Sequence, residues 1–190
     1  MSALLHLLAK DRLGARELDR MYLAFRDSST FVADALQAAR QLDPAPAANA
    51  VWLLRRAAQD QRLREPDMLQ LAARADELTH WVARLCLCQL FAETPCPEGG
   101  REALYPFLLD CCDDRRVIVR AWAVSALSHF APDPRYAPEV AARLREARAD
   151  PAPSMQARLR HLTNELRARG QDQRHVNPAP RASAENGTAG

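Results

Sequence analysis

Three tryptophans, Trp52, Trp81 and Trp122, each stand near an arginine, namely Arg55, Arg84 and Arg120. Indole faces and guanidinium groups stack on bases and meet phosphates, so this pairing is a candidate nucleotide-contact chemistry. The plainer reading is packing, because a large aromatic ring mainly supplies buried area. That reading is the stronger one for Trp122, which falls on an apolar helical stripe. Asp110, Asp113 and Asp114 are close enough in sequence to be considered as an acid–base set. Asp113 and Asp114, however, precede a long apolar-periodic run, where a carboxylate caps a helix start and meets the positive end of its dipole.

The five cysteines, at 86, 88, 96, 111 and 112, do not form the paired Cys-x-x-Cys units that zinc takes. An odd number, mostly inside helical stretches, also argues against a disulfide framework. They read as small buried apolar fillers. The five histidines, at 6, 80, 129, 161 and 175, share no metal-ligand spacing, and no Gly-rich phosphate loop is present. No catalytic residue, metal or cofactor is therefore expected. The binding candidates are Trp52, Arg55, Trp81, Arg84 and Ser125, the last lying off the apolar stripe of its helix.

The elements that must position these residues are helices. Of 190 residues 48% are hydrophobic, Gly numbers only 6, and nothing alternates apolar and polar over a strand's length, which is an all-α composition. The net charge of +2 is too small to imply a nucleic-acid or membrane surface. Periodicity and breakers predict helices over about 2–10, 15–26, 29–42, 46–60, 79–93, 103–110, 114–130, 135–149 and 153–169, with a short one before Asp76. Turns fall at Asp43-Pro-Ala-Pro46, Pro95–Gly100, Pro132-Asp-Pro134 and Asp150-Pro-Ala-Pro153. The start lacks the basic region and cleavage site of a secretory signal, and no apolar run reaches the ~18 residues of a membrane span. A cytoplasmic protein is expected.

Within Asp110–Phe130, Val119, Trp122, Ala123, Ala126, Leu127 and Phe130 recur at intervals of three and four, predicting one buried face with small residues at its centre. The same stretch carries Asp, four residues, Val-Arg, two residues, Ala, two residues, Ala-Leu, met by Asp114, Val119, Arg120, Ala123, Ala126 and Leu127. This resembles the second helix of a HEAT repeat. In that family the Asp and Arg are structural partners, a role the resemblance carries to Asp114 and Arg120; the Arg120 guanidinium could reach Asp114 or a carboxylate of an adjacent repeat. A shift of 37 residues lays Val82 on Val119, Cys86 on Ala123 and Leu90 on Leu127, with Ala83 where an Arg should stand and Arg84 one position away.

The resemblance covers about 29–169 and extends to bacterial HEAT-repeat proteins of similar length to which no activity is attached. It implies a short right-handed α-solenoid of stacked antiparallel helix pairs, HEAT or armadillo in type. A single domain is expected over 1–170, with capping helices in 1–27, and a disordered tail over 171–190, where GQDQRHVNPAPRASAENGTAG has no periodicity. The leading functional expectation is a non-enzymatic adaptor that binds a protein partner in its concave groove. The alternative is nucleic-acid binding, because the alkyl-base DNA glycosylases, similar in architecture, line their groove with Trp and Arg.

Overall fold

In the computed structural model, residues 2–10, 13–41 and 43–176 are described, 166–176 by backbone alone. Among them the protein is all-α, with no strand: α1 (Ala3–Leu8), α2 (Ala15–Phe25), α3 (Phe31–Gln41), α4 (Pro44–Gln59), α5 (Glu65–Ala72), α6 (Trp81–Glu93), α7 (Arg101–Cys112), α8 (Val117–Leu127), α9 (Ala137–Ala149) and α10 (Pro153–Val176). Single 3-10 turns precede α6, precede α7 and follow α8. Helix starts follow side-chain chemistry. Ser2 Oγ accepts the Leu5 amide at α1, the Glu17 carboxylate accepts the Gly14 amide at α2, and Asp67 accepts the Arg64 amide at α5. Pro44 and Pro153 open α4 and α10, where a missing N–H costs nothing.

Helices α4, α6, α8 and α10 pack one on the next in that order. Along them run α3 on α4, α7 on α8 and α9 on α10, while α5 bridges α3 and α7. The helices α1 and α2 pack on α3 and α4. One large apolar core runs from Ala35 to Val140, a second lies under α1 and α2 around Tyr22 and Phe31, and a third joins α8 to α9 and α10 around Met155. Both series of helices share one step. The helices α5, α7 and α9 begin at 65, 101 and 137, and α6, α8 and α10 begin at 81, 117 and 153, a shift of 36 each time.

Three expectations change. The helix after Asp113-Asp114 begins only at Val117, because the Asp114 Oδ1 accepts the amide of Arg116 (2.8 Å) and closes a turn before the helix, rather than capping its first turn. The offset between corresponding helix starts is 36 and not 37, which lays Val82 on Ile118 and Arg84 on Arg120. Helix α10 continues to Val176, past Gly170, since a polar stretch without proline before Pro178 contains nothing that forces it to stop. The remainder of the expected tail, 177–190, lies outside the described residues.

Candidate functional site

The arginines of the second helices are engaged across the stack. Arg84 in α6 donates through Nη2 to Asp110 Oδ2 (2.7 Å), and its Nε lies 3.4 Å from Asp114 Oδ2. Arg120 in α8 donates through Nη2 to Asp150 Oδ2 (2.9 Å) and through Nη1 to the Asp114 carbonyl (3.0 Å). Asp114 and Asp150 do the same two things: Oδ1 takes the amide two residues on, from Arg116 or Ala152, and Oδ2 takes the arginine of the preceding second helix. The unit Arg84–Asp114 thus recurs as Arg120–Asp150, both members shifted by 36. The Arg120 bond, helped by the Ala152 amide, holds the Asp150 carboxyl below its ordinary value.

A third clamp ties α4 to α6. Arg55 Nη2 donates to Glu93 Oε1 (2.8 Å) and Gln59 Nε2 to Glu93 Oε2 (2.9 Å). Arg55 and Arg84, expected as ligand contacts, are therefore held by carboxylates of their own chain. Of the two carboxylates open to it, Arg120 takes the one beyond its own helix pair, Asp150, and reaches Asp114 only at its carbonyl.

The three tryptophans do not share a repeat position. Trp81 is the first residue of α6, Trp122 lies five further on in α8, and Trp52 lies midway along α4. Val119, Ala123, Ala126 and Leu127 are buried, whereas Trp122 is only half-buried at the edge of that stripe. It is covered by Arg158 of α10, whose guanidinium carbon stands 3.8 Å from the ring centroid. Arg158 Nε donates to Ser125 Oγ (2.7 Å), so the hydroxyl expected on an open face is buried beneath α10. Burial lowers the Arg158 pKa from its ordinary value.

Trp52 and Trp81 do come together. With Leu18 of α2, Asn49 of α4 and His80 and Val82 at the start of α6, they line an open, largely apolar cavity of about 340 Å³ where the N-terminal ends of α2, α4 and α6 meet. Asn49 holds the chain at the end of α1, donating to the carbonyls of Lys10 (3.2 Å) and Leu8 (3.5 Å). His80 Nδ1 accepts the Val82 amide (3.3 Å), which assigns the proton of the neutral ring to Nε2. Burial first, and then the nearby Arg116 charge, lower the His80 pKa from 6.5.

Trp81, 36% exposed, carries the Arg116 guanidinium over its ring at 4.9 Å. Among the described residues Arg116 has no carboxylate within ion-pair distance, unlike Arg55, Arg84, Arg120 and Arg143. Neither Arg116, just before α8, nor His80, one of five histidines without shared spacing, carries a sequence pattern that marks a site. Their proximity to Trp81 depends on how α8 abuts α6, which no local pattern encodes.

Other chemistry is weakly provided for. Burial pushes the thiols of Cys86 and Cys112 up to about 12 and Cys96 to about 11, so none is a ready nucleophile. Among the described residues no three His, Cys, Asp or Glu side chains gather as metal ligands. No helix of these residues is long and apolar enough to cross a membrane. No family model, curated protein or solved structure matches the chain.

Proposed function

We propose that the chain is a short right-handed α-solenoid of HEAT type that acts as an adaptor, holding a segment of another protein on the exposed face of its second helices. The 36-residue step of both helix series and the repeated Arg–Asp unit support the solenoid reading. The observation that carries the function is the Trp52–Trp81 cavity. It is an apolar, aromatic-lined recess where the N-terminal ends of α2, α4 and α6 meet, whereas Arg55 and Arg84 are used to staple helices together. Recesses of this kind accept the bulky anchor side chains that dominate protein-segment recognition. Nucleic-acid binding draws less support, since Arg55 and Arg84 would have to give up Glu93, Asp110 and Asp114 to reach a phosphate.

The test is selection of a random displayed-peptide library on the full chain and on the Trp52→Ala/Trp81→Ala variant. Peptides enriched on the wild type and lost on the variant are expected. Failure to enrich any peptide, with retention of labelled duplex DNA at low salt, overturns the adaptor reading in favour of its rival.

A further inference from the structure

We infer that the Trp52–Trp81 cavity receives a bulky apolar side chain from a partner segment that is acidic beside that anchor, its carboxylate meeting Arg116. This deepens the adaptor reading and rests on it. The cavity is largely apolar and none of its described lining residues is acidic. At about 340 Å³ it lies near the small end of ligand-sized recesses, roughly 300–1,000 Å³, which suits one aromatic or large aliphatic side chain and its neighbours.

The electrostatics select the flank. Three helices of eight residues or more, α2, α4 and α6, direct their N-terminal ends at the cavity, and these ends carry partial positive charge. The start of α6 has no acidic residue, that of α4 carries Asp43 as an exposed N-cap, and the Glu17 carboxylate of α2 is turned back on the Gly14 amide at 2.8 Å. The backbone amides themselves are poorly placed to bind an anion, because Pro44 and Pro46 lack the N–H and His80 already takes the Val82 amide. What remains is Arg116, a fork of N–H donors held over Trp81, with no hydrogen bond from its guanidinium to any described residue. The Arg116 charge reaches the cavity wall at His80, whose protonation is disfavoured by burial first and by that charge second. A cationic ligand would meet Arg116 and the carboxylate-free N-terminus of α6 together, which disfavours a basic segment and a quaternary amine alike.

The test uses short fluorescein-labelled peptides and fluorescence anisotropy with the full chain. One peptide carries a single Phe among Asp and Glu, a second replaces the acids by Lys, and a third replaces the Phe by Gly. The first should bind and the other two should not. Arg116→Gln should weaken the first by about tenfold, the size of one charge-assisted hydrogen bond, and Arg116→Glu should shift the preference toward the Lys peptide. Trp81→Ala should cost about thirtyfold, as loss of a central anchor does. A chain that binds acidic and basic peptides equally, or whose charge preference is untouched by Arg116→Glu with a normal thermal melt, overturns the inference. If the random library nonetheless yields pocket-dependent peptides without acidic residues, the inference fails and the adaptor reading survives. If it yields none, both fail.

Discussion

Arg84 and Arg120 each cross from one helix pair to the next, so the consequence of losing one depends on the carboxylate it leaves behind. Asp114 is only 11% exposed in its side chain. Arg84→Ala leaves the Asp114 Oδ2 unpaired, with only Oδ1 still held by the Arg116 amide, and should cost about 1–3 kcal/mol, the penalty of a buried polar atom without a partner. The exposed Asp110 adds little to that figure. Arg120→Ala should lower the melting temperature too, because it strips the Asp114 carbonyl and Asp150 of a shared donor. Arg116→Ala removes a ring contact near the surface and should cost about 0.5–1 kcal/mol. Urea titrations of the three variants check this ranking, and an Arg116→Ala loss equal to that of Arg84→Ala would contradict it. His80 supplies a pH-dependent contribution. Its folded-state pKa lies below the ordinary 6.5, so the folded chain takes up a proton less readily than the unfolded one. Stability is thus unaffected well above 6.5 and falls as pH drops below it, levelling off once the folded histidine is also protonated. Asn at 80 can still accept the Val82 amide but does not titrate. His80→Asn should therefore flatten the decline in melting temperature between about pH 7 and 5, where histidines titrate; an unchanged slope would show that this imidazole is not its source.

Helix–helix packing sets a stricter limit on α8. Ala123 is fully buried between neighbours, and Ala123→Glu should cost more than about 4 kcal/mol, since a charge in that contact has no partner. Far-ultraviolet circular dichroism should show a chain largely unfolded at ambient temperature. The period of 36 makes a further test available. Excision of residues 101–136, one complete step, joins Gly100 to Ala137 and brings Asp150 into the place Asp114 held beneath Arg84. A cooperative melt that is lost on adding Asp150→Ala is expected. Aggregation of the shortened chain would show that the levels are not interchangeable. These elements were largely legible as sequence: breakers and periodicity marked the helices, and Asp150-Pro-Ala-Pro153 was read as a turn. Its role as the acceptor for Arg120 was not, because that pair spans two helices and only the stacking register joins them. The shift of 37 followed apolar matches such as Val82 to Val119, but apolar residues on one stripe are interchangeable. Arginine paired with a carboxylate is not, and the recurring Arg–Asp unit establishes 36. The cavity was half visible, in Trp52 and Trp81; His80 and Asn49 have no signature outside the packed structure.

At the scale of the whole molecule, the net charge of +2 and the internal use of most structural arginines predict weak, non-specific attraction to polyanions. Retention on duplex DNA should vanish well below physiological salt, whereas an acidic anchored peptide should persist because its apolar contact is not screened. The thiols give the fold a built-in alarm. Cys86, Cys88, Cys96 and Cys111 are buried in the folded chain, so a bulky aromatic disulfide reagent has almost nothing to colour while the helices stay stacked. Once they separate, every one becomes an ordinary reactive thiol. The yellow released on reagent addition then reports open molecules, and its rate under native conditions should rise in Arg84→Ala and Arg120→Ala by about tenfold for each ~1.4 kcal/mol of stability lost. In an oxidising medium the same exposure would turn a transient opening into a permanent crosslink.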